Sequence, residues 1–181
     1  MNSQFIQTQV ATTPHPFTYA KLKPFELLIG DWNFDWVGHN PDGTCWTEPG
    51  EWHFEWIIEG SAIQDTWICP GVSFLDTVKY PAGQYGTTIR FYDKKEDCVK
   101  MLWIGSLNTQ TNHFRVSFLD NRIIEQKIFV GENQAITKWV FKDITNYSFT
   151  WETFQSEDRG LVWHLTHEVF ARRNNISNFS T

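Results

Sequence analysis

Phe25 to Trp36, FELLIGDWNFDW, is the stretch on which the reading of this 181-residue chain turns. At Gly30-Asp31-Trp32 a short apolar turn runs into a strand, and glycine lets the backbone enter it without a Cβ clash. Trp32, Phe34 and Trp36 then alternate with Asn33 and Asp35, so period two places three aromatic rings on one face. A face that apolar has to be covered. At the far end Leu161 to Arg173 reads as a second strong strand, finishing in Arg172-Arg173, where a guanidinium is suited to stack on a Trp face. The two ends are expected to close one barrel.

Period two recurs between them. The turn residues His39-Asn40-Pro41-Asp42-Gly43 lead into Cys45 to Trp56, where Trp52, Phe54 and Trp56 face away from Glu51, His53 and Glu55. Glu59-Gly60 turns the chain into Ser61 to Cys69, in which Ile63, Asp65 and Trp67 share a face, and Pro70-Gly71 ends it. Val72 to Gln84 lacks alternation, holds Pro81 and Gly83, and is the candidate lid over a barrel mouth. Seven further strands follow: Tyr85 to Tyr92, Cys98 to Ile104, Asn112 to Phe118, Arg122 to Phe129, Ala135 to Phe141, Tyr147 to Phe154 and Leu161 to Phe170. The fold class expected is all-β, an antiparallel up-and-down β-barrel of about ten strands, because closure removes the edges that so long a meander would expose. A two-sheet sandwich is the structural rival. Residues 1–23, rich in Thr and Gln and broken by Pro14 and Pro16, form an N-terminal arm that is flexible or lies across the surface. Residues 24–173 make the barrel and 174–181 a C-terminal tail. No helical period is visible beyond a short turn at Phe25 to Ile29.

Composition narrows the function. Aromatic residues make up 17% of the chain and ten are Trp, which suits either a broad strand-lined core or a cavity for a flat apolar ligand. A net charge of −6, with no basic cluster beyond Arg172-Arg173 and Lys94-Lys95, speaks against nucleic acid or an anionic membrane as partner. Cys45, Cys69 and Cys98 are odd in number and far apart, without zinc-ligand spacing, and read as free thiols in a reducing cytoplasm. No export signal or apolar run of about 18 residues is present, so a cytoplasmic location is expected. Phosphate loops, nucleophile elbows and His-Glu-x-x-His helices are absent, which sets aside nucleotide-dependent and zinc-protease chemistry.

With the Gly-x-Trp corner, the meander and the closing Arg in place, the chain resembles the lipocalin-like, or calycin, barrels, and more closely the uncharacterised bacterial family DUF1579. The likeness covers Phe25 to Arg173 and rests on FELLIGDW, on AIQDTW at Ala62 to Trp67, on GTTIRFYD at Gly86 to Asp93, on DITNYSFTWE at Asp143 to Glu152 and on the terminal ARR. It implies a fold rather than an activity. The chain is also similar to nitrobindin, a haem-binding calycin barrel whose iron sits on a last-strand histidine. His164 and His167 stand there in HLTHEVFARR, but the Gly-rich run of nitrobindins is replaced by NFDWVG.

If the aromatic face of each strand points inward, parity puts Trp32, Trp52, Trp67, Trp103, Trp151 and Trp163 inside. In the last strand Leu161, Trp163, Leu165, His167 and Val169 share a face, and Asp65 is interior by the same rule. A buried Asp65 beside a buried His167 would hold the imidazole's tautomer and make it a general base, although such a pair is more often a satisfied core hydrogen bond. The opposite faces carry Gln64, Arg90, Glu152, His164 and Glu168, expected in solvent, with Arg90 an anion-binding candidate if its strand is bulged or turned. His53 between Glu51 and Glu55 has chelating spacing, yet three alternating polar residues mark the wet side of a strand, and no metal is expected.

The leading expectation is a barrel that binds a small apolar or aromatic molecule between Trp67, Trp103, Trp151 and Trp163, with Arg90 as the anion candidate and Asp65 and His167 fixing the polar end. The alternative is a cofactor-free isomerase, cyclase or hydrolase with His167 and Asp65 as acid-base pair. Haem on His167 or His164 is the third reading and the one cofactor considered. A structural barrel that self-associates, as a homodimer paired through an exposed strand, is the fourth.

Overall fold

The alternating stretches are strands in a computed structural model that describes residues 4–71, 84–106, 111–120, 123–130 and 134–174. The loop read as a lid lies, apart from Gln84 at its end, outside the described residues, as do tail residues 175–181. Among the described residues a two-residue strand β1 (Val10–Ala11) precedes ten longer ones. These are β2 (Gly30–His39), β3 (Cys45–Ile57), β4 (Ala62–Cys69), β5 (Gln84–Asp93) and β6 (Cys98–Gly105), followed by β7 (Asn112–Asp120), β8 (Ile123–Val130), β9 (Gln134–Lys142), β10 (Ser148–Gln155) and β11 (His164–Arg173). From β2 onward each pairs antiparallel with the next, and β11 returns to β2, so ten strands close into an up-and-down barrel. Closure rules out the sandwich.

The Gly-x-Trp corner locks one end. Arg173 lies opposite Trp32 in the β2–β11 register, with its Cζ 4.0 Å from the indole centroid. Its guanidinium donates to the carbonyls of Leu27 at 2.7 Å, Ile29 at 2.8 Å and Asn146 at 2.6 Å, while Trp32 Nε1 donates to Leu28 O at 2.7 Å. Gly30 has φ +120°, and a Cβ there would lie 2.5 Å from Arg173 Nη1, so both backbone and space require glycine.

The Leu27 and Leu28 carbonyls belong to a 3₁₀ turn, Lys23–Leu28, that follows helix α1 (Pro16–Leu22), and helix and turn together plug this end with Leu22, Phe25 and Leu28, all fully buried. From Pro16 onward, then, the arm packs against the barrel. Seven residues are too few for a 3.6 period to stand out, but the start was marked: Pro16 opens the helix and His15 Nδ1 accepts from the Phe17 amide at 3.2 Å. β1 pairs Val10 with Ile57 and Ala11 with Trp56, beside the part of β3 that lies past the β2 pairing at Gly30–Phe54.

The last strand begins later than Leu161. Asp158 Oδ1 accepts from the amides of Leu161 at 3.1 Å and Val162 at 2.8 Å, and Ser156 Oγ from Gly160 at 2.7 Å. A side-chain turn thereby takes the amides that a neighbouring strand would have paired, and Leu161 is 84% exposed.

Candidate functional site

The interior of the barrel carries a charge that needs a partner. β4 points Asp65 inward, 1% exposed, and a lone carboxylate there would be untenable. Its oxygens accept from Arg90 Nη1, the Thr88 hydroxyl and Trp52 Nε1, the last at 2.8 Å. Arg90, fully buried, also donates to Thr88 Oγ1 at 2.7 Å and through Nε to Gln126 Oε1 at 3.1 Å. Its Cζ stands 5.4 Å from the ring of Phe25 and 5.7 Å from those of Phe54 and Phe141. A polar tier, backed by aromatic rings and the plug, thus crosses the barrel.

Arg90 corrects the parity reading. β5 alternates as expected but with opposite phase: Gly86, Thr88 and Arg90 point in, and Phe91 is 39% exposed. The inner face takes the guanidinium because Asp65, one strand away, requires it. It also takes Gly86 because the Trp103 ring crosses there, within 2.3 Å of where a Cβ would stand. Arg90 is therefore matched by Asp65 and is not a free anion site.

On the other side of the tier from the plug lies a cavity of about 520 Å³. Trp52 and Thr88, both bonded to Asp65, form its floor. Around it runs a chain of indoles: Trp36 and Trp67 at 5.6 Å between centroids, Trp67 and Trp151 at 5.9 Å, Trp151 and Trp139 at 5.4 Å, Trp139 and Trp103 at 5.8 Å. Ile128, Thr137, Thr153, Asn112 and Gln155 complete much of the lining. Expected site residues Trp67, Trp103, Trp151 and His167 all meet here, and Asp65 lies beneath the floor.

Trp163 does not join them. Thr153 faces His167 while Phe154 faces Leu165, so Thr166 is an extra residue, a bulge that shifts the alternation by one. Before the bulge the aromatic side turns outward. Trp163 precedes β11 and shares Lys138 Nζ with Phe154, at 4.6 and 4.8 Å from the two rings. His164 is exposed. After the bulge His167 points in.

The bulge also sets the imidazole. Thr166 donates its hydroxyl to Thr153 O at 3.0 Å, so toward His167 Nδ1, at 3.1 Å, it can act only as acceptor. Nδ1 therefore carries the proton and Nε2 keeps a bare lone pair, without a protein partner among the described residues. Burial first, and the charge of nearby His39 second, hold the His167 pKa below the ordinary imidazole value, which favours this neutral form. Asp65 makes no hydrogen bond to His167, its partners being Arg90, Thr88 and Trp52, so the expected acid-base pair is not assembled.

Other candidate side chains fall outside the cavity. His53 bonds Asp31 at 2.7 Å and Glu51 at 3.5 Å, and among the described residues no cluster of three or more metal-ligating side chains forms. Glu152 accepts from Lys142 at 2.5 Å. Burial, then Glu48, push the Cys69 thiol up to about 12, so it stays protonated and unreactive. Among the described residues no helix is long and apolar enough to cross a membrane.

Residues absent from the sequence-derived site include Trp36, Trp52, Trp139, Thr88 and Gln126. The three tryptophans had the signal: each alternates with an inward aromatic, Trp36 with Phe34, Trp52 with Phe54 and Trp139 with Phe141. Thr88 and Gln126 had none, since only their strand neighbours make them polar contacts of Arg90.

No family model matches the chain, and no curated protein matches it. Solved structures do share its architecture. Rv2717c from M. tuberculosis superposes with a TM-score of 0.58 over 90% of this chain and 99% of its own, at 14% identity. The S-type phycobiliprotein lyase CPES from Guillardia theta gives 0.52 over 86% and 92%, at 13% identity. At such identities the likeness is one of fold alone, and it agrees with the closed ten-strand meander, a lipocalin-like barrel fold.

Proposed function

We propose that the protein binds a small, flat, apolar or aromatic molecule in the tryptophan-walled cavity, as a cytoplasmic binding protein of the DUF1579 kind. One observation carries this reading: about 520 Å³ of space is bounded by six indoles and lacks a charged side chain in its described lining. A core meant only for stability would be packed to crystal density, because each unfilled void forfeits dispersion contacts. Titration with phenanthrene by equilibrium dialysis tests it. Trp103→Ala, which removes one wall, is expected to bind about tenfold more weakly, while Trp163→Ala, on the outer side, binds as the unaltered protein does. Failure of the unaltered protein to bind phenanthrene, or equal binding by Trp103→Ala, would sink the proposal.

A second reading, haem, is favoured by the bare Nε2 of His167 at the cavity wall, since a neutral imidazole lone pair is what iron requires of a histidine. The exposed His164 offers no such site. The residues fit to that extent: His167 would hold the iron and the indoles the porphyrin faces. Haemin titration should then give a Soret band that His167→Ala abolishes and His164→Ala retains. A band that survives His167→Ala removes the reading.

A further inference from the structure

Three indole N–H groups, on tryptophans that line the cavity side by side, have nothing to donate to. The Nε1 atoms of Trp36, Trp67 and Trp151 are shut off from solvent and lack an acceptor among the described residues. An indole N–H is a donor only, and leaving one buried and unpaired costs the full desolvation of that group. Trp52, in contact with two of them, shows that the fold can satisfy such a group, since its own N–H reaches Asp65 at 2.8 Å. The three orphans are consecutive, Trp67 touching both Trp36 and Trp151, so the cost is concentrated at one place. Beside them His167 lies 5.2 Å from Trp36, ring to ring, with its bare Nε2 an acceptor. The tryptophans of this wall thus hold several unpaired donors next to one acceptor. The wall offers no charge: the described lining holds neither acid nor base other than His167, and the Arg90 beneath is matched by Asp65.

We infer that the cavity is selective for an uncharged, flat, conjugated molecule whose one edge carries a carbonyl oxygen, received by the indole N–H groups, and an N–H or O–H, received by His167 Nε2. Lactams and hydroxyketones have that edge. A carboxylate would leave a buried charge with no cation to meet it. The inference rests on the cavity's being a binding site and adds to that reading the chemistry of the ligand's polar edge.

Matched probes on a three-ring frame test it by equilibrium dialysis at neutral pH: phenanthridinone, which has both groups, N-methylphenanthridinone, which keeps only the carbonyl, phenanthrene, which has neither, and phenanthrene-9-carboxylate. Phenanthridinone is expected to bind at least about tenfold more tightly than phenanthrene, with the N-methyl compound between them. Trp67→Phe should weaken phenanthridinone binding more than phenanthrene binding, so that most of that advantage is lost; Trp151→Phe serves if the first variant does not fold. His167→Phe should abolish the gap between phenanthridinone and its N-methyl derivative. Equal affinity for phenanthrene and phenanthridinone overturns this inference while sparing the binding function. Tightest binding by the carboxylate overturns the uncharged assignment, and a lactam advantage untouched by both tryptophan variants overturns the role of the indoles. A gap between phenanthridinone and its N-methyl derivative that persists in His167→Phe overturns the role of Nε2. If none of the four probes binds, both the inference and the binding reading fall.

Discussion

Arg90→Met is expected to lose about 3–5 kcal/mol of folding stability in urea denaturation, the cost of removing one member of a buried ion pair. The reason is the environment of Asp65. With the guanidinium gone, a carboxylate that is 1% exposed keeps only the Thr88 hydroxyl and the Trp52 N–H, while Gln126 Oε1 loses its donor. Adding Asp65→Asn to Arg90→Met removes the uncompensated charge yet keeps an oxygen for Trp52 and Thr88. The double variant should therefore be more stable than Arg90→Met alone by at least about 1 kcal/mol, a coupling that only directly interacting groups show. A double variant less stable than the single one would mean that the Asp65 charge is compensated by something other than Arg90.

Trp32→Ala carries the other large effect, about 3–5 kcal/mol as for a fully buried tryptophan. Beyond the cavity it leaves, the substitution takes away the donor to Leu28 O and the ring on which Arg173 lies. Arg173→Ala frees the carbonyls of Leu27, Ile29 and Asn146 and should cost less, because part of the side chain is in solvent. The two losses should be less than additive, since each substitution removes the Trp32–Arg173 contact. Hydrogen exchange at residues 22–28 should accelerate in both, as the plug depends on this lock. Additive losses with unchanged exchange there would show that the plug is held by its apolar contacts alone.

Much of this molecule could be read from local pattern. Period-two alternation and turn residues are short-range properties of a chain, and they predicted nearly every strand to within a residue or two. A meander of that many consecutive antiparallel strands with no crossover segments leaves closure as the way to dispose of its edges. That a guanidinium of Arg172-Arg173 would stack on a Trp face was likewise legible from local sequence, while the choice of Arg173 on Trp32 came from the strand register.

Phase was harder than period. Alternation says that Arg90 and Phe91 face opposite ways, and side-chain polarity assigns the arginine to solvent. What reverses this is Asp65, 25 positions earlier, which pairs with Arg90 across adjacent strands. In β11 one bulge residue, Thr166, sends Trp163 outward and His167 inward although they stand an even number of positions apart. A bulge leaves little trace in composition because it depends on the partner strand's register. Aromatic excess, strand period and the closing corner are thus written in local sequence. Which side chains face the cavity, and with whom the buried charges pair, follows from contacts between residues far apart in the chain, because the free energy of a buried polar group is settled by the neighbours that folding brings to it.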